Sequence, residues 1–383
     1  MRTIAVLTSG RQDWGIVHST AAAIRAHPDL RLLLVVGGMH LSPRHGLTAD
    51  DVRRDGFSPD AELVWLRDAI DHDPPATAQA ASALASVGAW LRTARPDVLL
   101  LAGDRLETMA AAVAATLERV PLVHLHGGEQ TAGAFDDALR HAITKLSHLH
   151  LVSHEEHARR VIRLGEDPAS VHVVGAPGLD AAAREDLPGR EALAEDLGLD
   201  LRPPVVLVTV HPETASRDPV AAARTVVAAM DAVPATYVVS LPNSDPGADE
   251  VRAMLMAAAQ SPGRVAVEAL GERRYWGLLR LADAMVGNSS SALIEAPVVG
   301  LPAVDVGDRQ GGRRHGANVR HVPSDVEAVR QALVEALQPA ARTATLADRP
   351  PLADGRAGVR IADILAAWRP PEPLRKPPIA VPD

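Results

Sequence analysis

Three acidic positions in this chain stand where a parallel sheet would present them to a ligand. Asp104, in Gly103-Asp104-Arg105, comes directly after the apolar run Leu99-Leu100-Leu101-Ala102. Glu129 closes His124-Leu125-His126-Gly127-Gly128-Glu129, where two glycines let the backbone approach a bound molecule closely. Seven residues on, Asp136-Asp137 opens a helical pattern that continues through Arg140-His141. Each alone reads equally well as a helix cap or as charge set against a helix dipole. Converging at the carboxyl ends of adjacent strands, they are suited to be the acid and the base of a proton transfer.

A second group suits anions. His211, in Val210-His211-Pro212, stands at the mouth of a strand, although in a chain of 16 histidines a lone one is commonly structural. Gly287-Asn288-Ser289-Ser290-Ser291 follows Ala284-Met285-Val286 and precedes an apolar helix expected over 292–299. Successive N–H groups and hydroxyls at a helix start make a phosphate cradle, and also a serine-rich cap. Glu295 on that helix is placed to cap, to pair or to accept from a ribose hydroxyl. The loop at 307–316, with Arg309, Arg313 and Arg314, brings guanidinium groups that suit phosphates. Lys145 and Lys376 are the only lysines, so nearly every cation is arginine and each one is weaker evidence for phosphate binding. Thr8-Ser9-Gly10-Arg11-Gln12-Asp13-Trp14-Gly15 forms the first strand-to-helix turn, another diphosphate-facing position, but lacks the three-glycine dinucleotide spacing. The sequence holds no Walker loop, zincin pair, nucleophile elbow or evident metal site, and no cysteine, which removes disulfides and thiolate chemistry.

The elements that must position these residues are legible as alternating runs. Residues 4–7, 32–36, 98–101, 122–125, 150–152 and 171–174 read as buried parallel strands, with helices over 16–26, 77–94, 105–118 and 135–147 between them. After a boundary near 175–178 and a helical linker over 180–201, strands restart at 205–210, 237–241, 265–269, 284–286 and 303–306. The expected fold class is α/β, two Rossmann-like doubly wound domains facing a central cleft. The expected domains are 1–180, 181–365 and a frayed proline-rich tail over 366–383. A chain of 383 residues is long for one core. Its net charge of −9 carries no basic nucleic-acid footprint, and no run of about 18 apolar residues spans a membrane. Without a signal peptide at its start, a cytoplasmic protein is expected.

In order and spacing these segments resemble the UDP-N-acetylglucosamine 2-epimerase family, over roughly residues 2–325 and most closely its hydrolysing, sialic-acid-pathway branch. The carriers are residues 8–15, Gly38-Met39-His40-Leu41-Ser42-Pro43, 103–105, 126–129, 136–148, Gly175-Ala176-Pro177-Gly178-Leu179-Asp180, 287–291 and 307–313. The resemblance implies the two-domain fold called GT-B and a UDP-linked N-acetylhexosamine as substrate, with no cofactor and no metal. It implies C2 deprotonation with anti elimination of UDP to a 2-acetamidoglucal. Water then adds at C1 while C2 is reprotonated on the other face, releasing N-acetylmannosamine; the retaining branch adds UDP back instead. It implies Asp104, Glu129 and Asp136 or Asp137 as acid and base in either order, and His211 assisting the departing phosphate or transferring a proton. Arg11, Arg105, Asn243, Ser289, Ser290 and Arg313 would bind the UDP-sugar, with Glu295 at the ribose. A homodimer or homotetramer is implied as well.

Gln12, Ala292 and the neighbours of His211 depart from the commonest family pattern, which points to a modified sugar such as a 2,4-diacetamido-6-deoxy hexose. Two further readings are a GT-B glycosyltransferase, which would tolerate loss of Glu129, and a UDP-sugar sensor, which has no use for three carboxylates near an anion.

Overall fold

Valine- and leucine-rich runs too apolar to alternate are stable only as strands covered on both faces. In the computed structural model of this chain they build two parallel sheets. The structure describes all residues except 67–73, 131–135, 214–215, 243–246, 269, 314, 349, 351 and 377–383. The first sheet holds β1 (Arg2–Thr8), β2 (Leu30–Gly37), β3 (Ala61–Leu63), β4 (Val98–Ala102), β5 (Leu122–Leu125), β6 (Leu149–Val152) and β7 (Val171–Val173). Its helices are α1 (Arg11–Ala26), α2 (Ala49–Arg54), α3 (Ala76–Ala94), α4 (Leu106–Leu117), α5 (Asp136–Leu146) and α6 (Glu155–Arg163). The second unit carries α7 (Arg190–Leu197), β8 (Val205–Thr209), α8 (Ala221–Ala232), β9 (Thr236–Ser240), α9 (Ala248–Ala258), β10 (Arg264–Val267) and α10 (Gly271–Leu281). It continues through β11 (Ala284–Gly287), α11 (Ser291–Ile294), β12 (Ala303–Val306), β13 (Val319–Val322), α12 (Val326–Ala336) and α13 (Pro339–Ala347), before α14 (Ala357–Ala367).

Alternation along each strand sends neighbouring side chains into different cores. Ile4, Val6, Leu34 and Val36 pack with Val17 and Ile24 of α1, whereas Ala5, Leu7, Leu33 and Val35 pack with Val87 and Leu91 of α3. The strand order is β3-β2-β1-β4-β5-β6-β7 in the first sheet and β10-β9-β8-β11-β12-β13 in the second. In each, the chain runs outward from its first strand and then returns to the other side, so the order reverses between β1 and β4, and between β8 and β11. At such a reversal the two loops leaving the carboxyl ends diverge and open a crevice. Asp104 follows β4 directly; His211 and the serine run follow β8 and β11.

Asp180 ends the first stretch of one compact unit, Met1–Asp180 with Leu352–Asp383, and Ala181–Pro351 forms the other. Residues 352–365, expected in the second domain, therefore belong to the first. Ile361, Ala362 and Leu365 of α14 enter the core that contains Ile4 and Val17. The Asp180 carboxylate accepts from the backbone N–H groups of Ala357 at 3.0 Å and Gly358 at 2.7 Å, satisfying donors at the start of α14. The proline-rich tail is tied down through its described part: Lys376 Nζ donates to the Thr144 carbonyl at 3.1 Å and pairs with the buried Glu166 at 2.5 Å. Burial works against the Glu166 charge, yet His150, Lys145 and Lys376 outweigh it and hold its carboxyl down at about 2. The expected linker helix over 180–201 is broken. A 3₁₀ turn at Pro177–Ala183 and the short α7 take its place, because Pro188-Gly189 interrupts the pattern.

No helix among the described residues is long and apolar enough to cross a membrane. Replacing Asp180 by alanine strands two N–H groups at a buried helix start, and we expect a loss of about 1–2 kcal/mol of stability, read as a lower denaturant midpoint. Asp180→Asn, which keeps one acceptor, should lose less; equal losses in the two variants would count against the capping role.

Candidate active site

The turn after β5 carries Glu129 to partners from three elements. His126 adopts a left-handed backbone at φ +66°, a conformation that costs about 1–3 kcal/mol in a non-glycine residue and persists only where its surroundings fix it. Gly128, at φ +77°, lies so near α6 that a Cβ would stand 2.5 Å from the His157 carbonyl oxygen. That approach brings the turn against the start of α6. His126 Nδ1 then lies 2.6 Å from Glu129 Oε1, and Ser153 Oγ donates to the same oxygen at 2.8 Å.

Arg140 joins the carboxylates. It is buried, with 8% of its side chain exposed, and its guanidinium donates to Asp104 Oδ2 and pairs with Glu129 Oε2 at 3.3 Å. It also donates to the His126 carbonyl at 3.2 Å. Burial alone pushes Glu129 up, but the His126 ring, the Ser153 hydroxyl and the Arg140 guanidinium outweigh it and hold its carboxyl well below the usual carboxylate range. Asp136 lies one helical turn before Arg140 on α5, and residues so spaced share a face. Asp137, on the neighbouring face, reaches His141 at 3.5 Å.

A buried histidine positions this group. His124 bridges Thr144 Oγ1 of α5 at 3.0 Å and the Gly103 carbonyl at 2.8 Å, tying the helix that carries Arg140 to the loop that carries Asp104. Burial lowers it to about 3, so it is neutral and each ring nitrogen has one defined partner. Arg105, next to Asp104 in the chain, lies 3.9 Å from Asp13 and 3.5 Å from Glu107. Arg11, the first residue of α1, is exposed and has no ion-pair or hydrogen-bond partner among the described residues.

In the second unit Asn288 is the organiser. It exchanges hydrogen bonds with the His211 backbone, at 2.8 Å to the N–H and 2.9 Å to the carbonyl. Its own carbonyl accepts from Gln310 at 2.8 Å and Arg309 at 3.1 Å, and Gln310 in turn accepts from Arg313 at 3.0 Å. Three loops that the sequence suggested separately thus meet at one buried amide. Gly287 allows it: at φ +146°, a Cβ there would stand 1.9 Å from the Thr209 carbonyl oxygen.

Ser289 and Ser290 are half-buried, and Ser289 Oγ accepts from the Ser291 N–H at 3.3 Å. The helix expected over 292–299 is cut to the single turn of α11 and a 3₁₀ turn at Ala296–Val299, because Pro297 cannot continue an α-helix. A cradle here rests on local N–H groups and hydroxyls, not on a long helix dipole. Burial pushes Glu295 up, and its Oε2 is buried without a hydrogen-bond partner among the described residues. Burial also pushes Glu213 up, against the opposing pull of the nearby Asp308 and Arg309 N–H groups. Asn243 lies outside the described residues.

Residues that sequence reasoning passed over do much of the positioning. Arg140 had read as dipole charge, and Asn288 as part of a serine run. His124, Ser153 and His157 had no assigned role. A fully buried histidine in a strand was the one available signal, and it becomes informative only once its partners are known.

A sequence model of the family described as UDP-N-acetylglucosamine 2-epimerase matches residues 22–366. The chain is 34% identical, over 88% of its length and 89% of the relative's, to the UDP-N,N'-diacetylbacillosamine 2-epimerase (hydrolyzing) of Legionella pneumophila. It is 32% identical, over 88% of both chains, to the UDP-N-acetylglucosamine 2-epimerase of Neisseria meningitidis serogroup B. Its fold matches a Neisseria meningitidis UDP-GlcNAc 2-epimerase structure bound to UDP-GlcNAc, with a TM-score of 0.77 at 15% identity over 95% of this chain and 99% of that one.

Arg140→Met leaves Asp104 and Glu129 close together without their shared cation. We expect a loss of about 2–3 kcal/mol at neutral pH. Glu129 is held low in the folded chain, so the stability it contributes is present above the unfolded value of about 4.5 and fades as pH falls below it. The gap between wild type and Arg140→Met in denaturant titrations should therefore narrow from pH 7.5 to pH 4; a constant gap would contradict the ion-pair account.

Proposed function

Because the chain belongs to the UDP-N-acetylglucosamine 2-epimerase family, we propose that it converts UDP-N-acetylglucosamine to N-acetylmannosamine and UDP by the hydrolysing route. The observation that carries this reading is the Asp104–Arg140–Glu129 bridge: two carboxylates held by one buried cation, with His126 against one of them. A C2 proton is weakly acidic, so its removal needs an ionised carboxylate in fixed geometry. On this reading Glu129 accepts that proton as the C1–O bond to UDP breaks, giving the 2-acetamidoglucal. Asp104, Asp136 or Asp137 serves the opposite face, where C2 is reprotonated as water adds at C1.

The second unit supplies nucleotide binding. Ser289, Ser290, Arg313 and the N–H groups around Asn288 suit the diphosphate, with His211 beside them to assist the leaving phosphate. Glu295 Oε2, a buried acceptor without a partner among the described residues, suits a ribose hydroxyl. Arg11 and Arg105 add cations at the crevice of the first sheet, and Asn243 completes the proposed UDP-sugar contacts. One observation favours a second sugar: the Legionella relative is named for UDP-N,N'-diacetylbacillosamine. The same acid–base set would then act on a 2,4-diacetamido hexose.

Incubation with each UDP-sugar in heavy water, followed by proton NMR, tests the reading. The expected products are UDP and free N-acetylmannosamine bearing deuterium at C2. UDP-N-acetylmannosamine would move the chain to the retaining route, and turnover of the diacetamido substrate alone would change the sugar. Glu129→Gln should lower kcat by about 10²- to 10⁴-fold while leaving UDP affinity within about twofold. Deuterium exchange at C2 that survives in this variant would remove Glu129 from the proton transfer.

A further inference from the structure

Glu129 can take a proton only on an oxygen with a free lone pair, so its partners decide which oxygen is the base. A carboxylate offers about four acceptor positions, two on each oxygen. His126 Nδ1 lies 2.6 Å from Oε1, and Ser153 Oγ donates to the same oxygen at 2.8 Å. An ionised carboxylate only accepts, so His126 Nδ1 carries the hydrogen of that contact, and both acceptor positions of Oε1 are taken. Oε2 has one partner among the described residues, Arg140 Nη1 at 3.3 Å. The acceptor position left open on Glu129 is therefore on Oε2.

The contacts that close Oε1 come from different places. His126 belongs to the same turn as Glu129, whereas Ser153 directly follows β6. His157, on the first turn of α6, places Nδ1 2.9 Å from Ser153 Oγ and 3.9 Å from Glu129 Oε1, so it reaches the carboxylate through the hydroxyl. The Ser153 hydroxyl gives its one hydrogen to Glu129, so its oxygen accepts from His157 Nδ1–H, and one arrangement of hydrogens satisfies the whole group. A hydroxyl that accepts on one side donates more strongly on the other. Arg160 of the same helix donates to the Gly128 carbonyl. Helix α6 thus holds the backbone of the turn and, through Ser153, the Glu129 side chain.

We infer that Ser153 and His157 are positioning residues that close Oε1 and leave Oε2 as the atom of Glu129 that receives the C2 proton. This rests on Glu129 being the proton acceptor in the proposed function. In that step the C2–H bond breaks and its proton forms an O–H bond on Oε2. The electron pair it leaves becomes the C1–C2 double bond as the C1–O bond to UDP breaks. Neither Ser153 nor His157 changes protonation, and neither needs to touch the sugar. Without the Ser153 hydroxyl an acceptor position opens on Oε1. The carboxylate also loses a contact that resists rotation about its last torsion, which is intrinsically broad. The base then presents either oxygen and reaches the productive geometry less often.

The test compares single-turnover rates of wild type, Ser153→Ala, Ser153→Thr, His157→Leu, His157→Asn and Glu129→Gln on UDP-N-acetylglucosamine in heavy water, with UDP affinity measured alongside. Threonine keeps the hydroxyl, and asparagine keeps an N–H near the Nδ1 position. We expect the rate to fall about 10-fold in Ser153→Ala and His157→Leu, the effect of one hydrogen bond to a charged group, with KM and UDP affinity within about twofold. Ser153→Thr and His157→Asn should stay within about threefold of wild type, a rescue that tracks the donated hydrogen and not the packing. Unchanged rates in Ser153→Ala and His157→Leu, equal losses in the conservative variants, or a loss that falls on KM overturns the inference while leaving Glu129 as base. C2 exchange persisting in Glu129→Gln, or no turnover by wild type, overturns the base assignment and the inference with it.

Discussion

The first unit depends on one buried guanidinium. Two carboxylates at hydrogen-bond distance from a common group repel each other strongly once water is excluded, and one would otherwise take up a proton. Arg140 prevents this by donating to both Asp104 and Glu129. The rest of the unit arranges itself around that requirement. His124 fixes α5 to the Gly103 carbonyl so that Arg140 and Asp104 share a register. His126 accepts a strained backbone so that its ring faces Glu129. The tail contributes from the other end of the same helix, where Lys376 donates to the Thr144 carbonyl. Charge pairing at the centre is thus supported by hydrogen bonds from three elements, which spreads the cost of burying it.

Much of this was legible in the sequence, for a physical reason. Parallel strands covered on both faces must be apolar throughout, so 98–101 and 122–125 announced themselves and fell within or on β4 and β5. Residues soon after such runs lie at carboxyl ends, which is why the positions of Asp104 and Glu129 beyond β4 and β5 could be read from sequence. The partner of both carboxylates was not, because an arginine on a helix in an arginine-rich chain looks like surface charge until its direction is known. The short edge strands β3 and β13 were missed for the opposite reason: partly polar, and exposed in places, they carry no continuous apolar run. The return of α14 to the first unit could not be read from order along the chain. It depends on Asp180 meeting the start of a helix 177 residues later.

Asn288 makes the same point for the second unit. Its neighbours were singled out as a serine-rich anion cradle, yet the fully buried amide fixes the loops by bonding the His211 backbone in both directions. A single asparagine can satisfy one donor and one acceptor at once, and its backbone carbonyl is then free to hold Gln310 and Arg309. The cut of the expected helix at Pro297 leaves fixed local donors, not the macrodipole of a long helix, at this turn.

Glu129 in the first unit and three buried acids of the second are shifted in opposite directions. In the first, His126, Ser153 and Arg140 overcome burial and keep Glu129 ionised, the state in which it can accept a proton. In the second, burial dominates at Glu213, Glu295 and Asp305, and each is pushed up toward its neutral form. Both units use the same backbone device, a crevice at the point where strand order reverses. What differs at these residues is whether the surrounding side chains oppose desolvation or leave it to prevail.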